Sequence, residues 1–126
     1  MVPKIRDVDQ MSIKEIGSAL RKTSRLCRDL KIDKKEFFGG SMTISSLGGI
    51  GGTFFTPIIN PPEVAILGVG KSFDRLVKVN DKFVSRKILP ISLSYDHRII
   101  DGAEGARFCV YLGKCLGKDF AFKLAV

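Results

Sequence analysis

The sequence is short of the residues that build metal sites and disulfide frameworks. It has one histidine and three cysteines in 126 residues. The cysteines, Cys27, Cys109 and Cys115, are odd in number and include no Cys-x-x-Cys pair. With a single histidine they do not make a usual zinc site. They read as reduced, mostly buried thiols of an intracellular protein. No apolar run reaches the roughly 18–20 residues of a membrane helix. The first residues, Met-Val-Pro-Lys-Ile-Arg, lack the apolar core of a signal peptide. These shortages point away from a membrane protein and from a secreted disulfide scaffold. A hydrophobic content of 44% is too high for a disordered chain, and 126 residues allow one domain.

Charge is also missing from one place. Residues 4–36 carry ten basic and six acidic groups, and residues 71–126 carry eleven and six. Residues 37–70 carry one charged residue, Glu63, with eight of the 13 glycines and three of the five prolines. A stretch this apolar reads as core, binding surface or subunit interface; exposed on a monomer it is an aggregation liability. The whole chain has a net charge of +8, which raises a nucleic-acid reading. The bases Lys14, Arg21, Lys22, Arg25 and Arg28 lie on one helical face with no aromatic residues between them. That pattern fits a solvated helix face better than a single-strand binding stripe.

Local patterns give a mixed α/β reading. Val2–Arg6 reads as a short strand. Ser12 caps a helix and Glu15, three residues on, completes a capping box. Ile13, Ile16, Leu20, Cys27 and Leu30 recur at helical spacing as its apolar face. Ser41–Ser46 reads as a strand, and Phe54–Ile59 as a strand or an extended loop. Val64–Val69, a continuous apolar run, reads as a strand buried on both faces. Leu76–Val79 and Phe83–Lys87 form a hairpin around Asn80-Asp81-Lys82. Ile88–Tyr95 is a further strand, with Pro90 marking an edge or bulge. Ala103–Leu116 is a helix with Ala106, Val110 and Gly113 on one face.

His97 stands where an apolar strand ends and a helix is about to begin, flanked by Asp96, Arg98 and Asp101. Strand-end loops on a rigid scaffold are where functional groups tend to lie. A neutral imidazole suits general-base work near neutral pH. On the residues alone a structural role stays equally open. Gly48-Gly49-Ile50-Gly51-Gly52 lacks both the Walker Gly-Lys-Ser/Thr and the Gly-x-Gly-x-x-Gly spacing, so it reads as flexible backbone rather than a phosphate loop.

Longer stretches carry a resemblance. Tyr95-Asp96-His97-Arg98-Ile99-Ile100-Asp101-Gly102-Ala103 resembles the Asp-His-Arg-x-x-Asp-Gly signature of the dihydrolipoamide acyltransferases, the cores of the 2-oxo acid dehydrogenase complexes. Gly39-Gly40-Ser41-Met42-Thr43-Ile44-Ser45-Ser46-Leu47-Gly48 and Asn60-Pro61-Pro62-Glu63-Val64-Ala65-Ile66-Leu67-Gly68-Val69 resemble two further landmarks of that family. Val2-Pro3-Lys4-Ile5-Arg6-Asp7 is similar to a mid-domain strand. The resemblance covers essentially the whole chain.

The resemblance implies a chloramphenicol acetyltransferase-like fold, a two-layer mixed sheet with helices, of which this chain is the C-terminal half. It implies an acyltransferase that works between dihydrolipoamide and coenzyme A. His97 is then the general base and Ser45 the hydroxyl that stabilises the oxyanion, with Asp101 in a mainly structural role. Ser45, Thr56 and Ile58 are expected against coenzyme A. No resident metal is expected. In the family the serine and the histidine face each other across a trimer interface, so Ser45 and His97 of one chain serve different active sites. The loop Gly49-Ile50-Gly51-Gly52-Thr53-Phe54-Phe55-Thr56-Pro57-Ile58 resembles the bacterial pyruvate-complex members. Succinyl-transferring members usually carry an arginine where Ala103 stands, so acetyl is expected ahead of succinyl and branched-chain acyl groups.

The expected partners are two further copies in a homotrimer, trimers joined into a cage, and the pyruvate dehydrogenase and dihydrolipoamide dehydrogenase components through domains outside this chain. No nucleic acid or membrane partner is expected. Phe120, Phe122, Leu124 and Val126 are candidates for the knob that joins trimers. The lipoyl and subunit-binding domains and the first half of the fold are expected to lie outside this chain. It then stands as a fragment, one half of a split enzyme, or a non-catalytic assembly remnant, with a basic binding module as the remaining alternative. The expected location is the bacterial cytoplasm, or the mitochondrial matrix in a eukaryote.

Overall fold

A computed structural model describes residues 2–117 and Phe120. The expected knob residues Phe122, Leu124 and Val126 lie outside the described residues. The chain divides into two compact units, one within Met1–Ser41 and Lys114–Val126, the other Met42–Gly113.

The first unit is built around helix α1, Ile13–Arg28. Its start is the expected capping box: the Glu15 amide donates to Ser12 Oγ at 3.3 Å, and Ser12 N donates back to Glu15 Oε2 at 2.8 Å. The apolar face is turned from its expected position. Ile16, Ala19, Leu26 and Cys27 are half-buried, whereas Ile13 and Leu20 are exposed. Leu30 lies past the helix end in left-handed backbone (φ 55°) and is exposed. Val2–Arg6 is not a strand. A strand needs a ladder partner, and the backbone bond found here is Lys4 N to the Glu36 carbonyl at 2.8 Å.

The second unit contains two sheets. Strands β1 (Thr43–Ser46), β2 (Ala65–Val69) and β5 (Ile91–Tyr95) form a mixed sheet in the order β1-β2-β5, with β1 parallel to β2 and β5 antiparallel to it. The apolar run in β2 is central, and Ala65, Ile66 and Leu67 are buried. Strands β3 (Phe73–Val79) and β4 (Lys82–Ile88) form a separate hairpin. Its two-residue turn is Asn80-Asp81, both at positive φ (47° and 61°), the backbone whose twist matches a hairpin. The expected single strand over Ile88–Tyr95 is two strands in two sheets. Pro90, buried and without an N–H, separates them.

Helix α2, Gly102–Cys115, follows β5. Its inward side is Gly105, Cys109 and Leu112, not Ala106, Val110 and Gly113, which are exposed. Gly105 sets this face. A Cβ there would lie 2.8 Å from Tyr95 Cε1, so only a residue without a side chain lets the helix lie against β5. An apolar groove of about 300 Å³ runs beside this contact, lined by Met42, Ala65, Leu93, Ile100, Gly105 and Phe108. The three cysteines are free and half-buried rather than buried.

The segment Phe54–Ile59 is a loop, not a strand. It is anchored from both sides. Lys71 N donates to the Gly52 carbonyl at 2.9 Å, and the Phe55 ring lies over Gly68 of β2, 3.0 Å from where a Cβ would stand. Glu63, the one charged residue of 37–70, accepts a 2.5 Å hydrogen bond from Thr43 Oγ1. Thr43 is the buried polar residue of the described core. Much of the rest is uncovered: Ile50 is 86% exposed and Ile58 90%, with Ile44 and Phe54 also exposed.

Candidate functional site

His97 sits in the turn between β5 and α2. Asp96 N donates to the Val64 carbonyl at 2.8 Å, which carries the β2–β5 ladder one residue past the strand. The Asp96 carbonyl then accepts from Ile99 N and Ile100 N, each at 3.0 Å, and folds residues 96–100 into a tight turn. His97 is therefore pushed out from the strand end and is exposed. Its ring centroid is 5.7 Å from that of Tyr95, with the planes tilted by 40°.

The charges beside it are paired. Arg98 closes on Asp96 with Nε 2.9 Å from Oδ1 and Nη2 2.6 Å from Oδ2. The guanidinium hydrogen bonds, helped by the Arg98 amide, hold the Asp96 carboxyl down at about 2. The same contact raises the Arg98 guanidinium above its ordinary range. Asp101 caps α2: its Oδ1 accepts from Glu104 N at 2.7 Å. A cap bond of this kind fixes where the helix starts relative to His97.

Ser45 lies on β1, half-buried, directly opposite Gly68. Paired residues point to the same side of a sheet, so Ser45 shares the face covered by Phe55 and lies opposite the α2 face. Gly68 in turn pairs with Ser92, while Tyr95 pairs with Ala65. Ser45 is thus three residues along, roughly 10 Å, and two strands across, roughly 10 Å, from the level of Tyr95. His97 lies two residues farther on. Within one chain these two side chains do not share a site. Thr56 and Ile58 are exposed on the loop that carries Phe55.

The arrangement offers two half-sites. One is an exposed imidazole on a braced turn, able to take up a proton. The other is a hydroxyl on a rigid strand with an exposed loop beside it, able to donate to a developing negative oxygen. Among the described residues no three or more His, Cys, Asp or Glu side chains are grouped to hold a metal ion. Tyr95, Phe55 and Gly105 also build the site and are not marked by local pattern. The Asp-x-Arg spacing around His97 is the signal that could have found the Asp96–Arg98 pair.

Comparison with known proteins places the chain in a family. The chain is 51% identical over 120 residues to the dihydrolipoyllysine-residue acetyltransferase component of the pyruvate dehydrogenase complex of Cupriavidus necator, over 95% of this chain and 22% of that one. It is 48% identical to the dihydrolipoamide acetyltransferase of Azotobacter vinelandii, with a TM-score of 0.89 over 94% of this chain and 49% of the solved one. A cubic core of a pyruvate dehydrogenase multienzyme complex matches at 47% identity, again with a TM-score of 0.89, over 94% of this chain and 49% of that one. The chain thus spans about a fifth of the curated relative and about half of the solved catalytic chains. Work on the A. vinelandii enzyme addressed a serine, a histidine and an asparagine in its catalytic mechanism; there the histidine follows the serine by 52 positions and precedes the asparagine by four. Ser45, His97 and Asp101 stand at the same spacings, with aspartate in the last place. The family model for the 2-oxoacid dehydrogenases acyltransferase catalytic domain matches residues 1–121, and the chain belongs to that family.

Proposed function

We propose that this chain forms the C-terminal half of an acetyltransferase catalytic domain, which moves acetyl groups between dihydrolipoamide and coenzyme A in a pyruvate dehydrogenase complex. The observation that carries this reading is the Ser45–His97–Asp101 spacing, together with the strand, turn and helix cap on which those residues sit. In the direction of acetyl-coenzyme A synthesis, His97 takes the proton from the coenzyme A thiol. The thiolate attacks the thioester carbonyl of acetyl-dihydrolipoamide, and the Ser45 hydroxyl donates to the oxyanion. Collapse expels the dihydrolipoamide thiolate, which recovers the proton from the imidazolium. Asp101 holds the start of α2, and Thr56 and Ile58 lie against coenzyme A. The lipoyl group is carried by a domain outside this chain.

The separation of Ser45 from His97 supports a site shared between copies, with His97 of one protomer facing Ser45 of its partner in a homotrimer. The exposed Ile44, Ile50, Phe54 and Ile58 support the same assembly, because such a surface is a liability on a free monomer. Trimers joined into a cage, contact with the pyruvate dehydrogenase and dihydrolipoamide dehydrogenase components through other domains, and a bacterial cytoplasmic location complete the reading.

The test is acetyl transfer from acetyl-coenzyme A to dihydrolipoamide by the assembled protein. His97→Ala is expected to lower kcat by about 10²–10⁴ and Ser45→Ala by about 10²–10³. Co-assembly of the two inactive variants is expected to restore part of the activity. A fully active His97→Ala protein refutes the base assignment. Co-assemblies with no recovery refute the shared site.

A further inference from the structure

We propose that the Asp96–Arg98 pair is a positioning device for His97, which fixes the turn that presents the imidazole. The proposal rests on His97 being the base named above. Asp96 has all its polar groups committed. Its N–H is tied to Val64 of β2, and its carbonyl accepts from two amides downstream. Its carboxylate holds Arg98 by three donors: Oδ1 accepts from the Arg98 amide at 3.0 Å and from Nε at 2.9 Å, and Oδ2 accepts from Nε at 3.1 Å and from Nη2 at 2.6 Å. These bonds close a ring over a single intervening residue, His97.

His97 has no hydrogen bond through its side chain among the described residues, and Tyr95 is its aromatic neighbour. Its position is therefore set by the backbone of residues 96–98. The ion pair itself adds little to stability, because Arg98 is 87% exposed and solvent screens it. What it changes is the freedom of the turn. A carboxylate bound to both the amide and the side chain two residues on removes rotation at residue 97. A base displaced by about 1 Å can lose about 10²-fold in rate. The planar fork matters as well as the charge: lysine supplies a point charge but cannot meet two carboxylate oxygens in one plane.

The experiment uses the assembled protein and acetyl transfer between acetyl-coenzyme A and dihydrolipoamide. The variants are Asp96→Asn, Arg98→Lys, Arg98→Met and the double Asp96→Asn/Arg98→Met. Each single variant is expected to lower kcat about tenfold, with KM for both substrates unchanged and the thermal midpoint at neutral pH lowered only slightly, because solvent screens the pair. The double variant is expected to lose no more than either single one, because the two residues act as a unit. Arg98→Lys alters an exposed side chain and keeps its charge, so it reads the fork geometry apart from folding. Wild-type kcat in the single variants, a loss confined to KM or to the thermal midpoint, or losses that multiply in the double variant would overturn the proposal. His97→Ala runs in parallel. If it stays active, the base reading falls and the positioning role with it. If it is inactive while the pair variants keep full kcat, only the positioning role falls.

Discussion

Gly105 and Gly113 lie on one helix, and the structure assigns opposite signs to the same substitution at the two positions. In a helix interior, alanine is favoured over glycine by about 1 kcal/mol. Gly113 has nothing within 4 Å of an added Cβ among the described residues, so Gly113→Ala is expected to realise that gain. At Gly105 the new methyl would stand 2.8 Å from Tyr95 Cε1 and 3.1 Å from Cζ. Ordinary carbon contacts begin near 3.5 Å, so the helix or the ring must give way by about 0.7 Å. Overpacking of this kind costs about 1–3 kcal/mol, which outweighs the propensity gain and leaves a net loss of about 1 kcal/mol. The two variants should therefore differ by about 2 kcal/mol. At about 4 °C per kcal/mol for a chain of this size, that is a gap of about 8 °C. The assay is thermal unfolding of the assembled protein, followed by circular dichroism. A Gly105→Ala midpoint at or above that of Gly113→Ala would refute the close-packing argument. The strain also has a route to the site, since the Tyr95 ring that must move is the ring beside His97. Gly105→Ala should therefore lower kcat as well, whereas Gly113→Ala should leave it unchanged.

Three further outcomes follow from single contacts. Ser12→Ala removes the side-chain half of the capping box on α1 and should cost about 1 kcal/mol in a urea titration; no loss would mean that the cap does not hold the helix. Thr43→Val keeps the shape of a buried strand residue but takes the donor from Glu63, and should cost about 1.5–3 kcal/mol by the same measurement; a neutral result would show that water replaces the bond. Asp96 has a folded-state carboxyl at about 2 against an ordinary 3.8, so the unfolded state binds its proton first. Its contribution, kept small by solvent screening of the pair, is complete above about pH 4 and is lost as pH falls toward 2. Stability between pH 4 and pH 2 should thus fall less steeply in Asp96→Asn than in the parent, and equal slopes in urea midpoints would contradict the assignment.

Sequence patterns that act over a few residues translated directly into structure. Ser12 and Glu15 satisfy each other's neighbouring amides across one helical turn, so the start of α1 is readable without the rest of the fold. Asn80 and Asp81 tolerate positive φ, so the hairpin turn is readable too. The apolar run Val64–Val69 reads as a covered strand, and the strand it forms, Ala65–Val69, is the central one. The expectations that failed depend on a partner elsewhere in the chain. Val2–Arg6 has the residues of a strand but no ladder partner among the described residues. Ile88–Tyr95 reads as one strand because Pro90 marks an interruption but does not say that the residues on its two sides pair in different sheets. The inward face of α2 lies elsewhere than expected, and that of α1 keeps only Ile16 and Cys27 of the expected set, because apolar spacing does not say which side will be covered.

The site divides along the same line. The sequence alone placed His97 at a strand end among acidic and basic neighbours, and the family signatures marked Ser45 and Asp101, because those signatures are contiguous. Tertiary structure decided the rest. Sheet register separates Ser45 from His97 within one chain, since β1 and β5 lie on opposite sides of β2. Packing of α2 on Tyr95 favours glycine at 105, and the path of the loop brings Phe55 over the strand opposite Ser45. Side-chain chemistry is written residue by residue, but distance across a sheet arises only when strands far apart in the chain pair, and no local spacing encodes that.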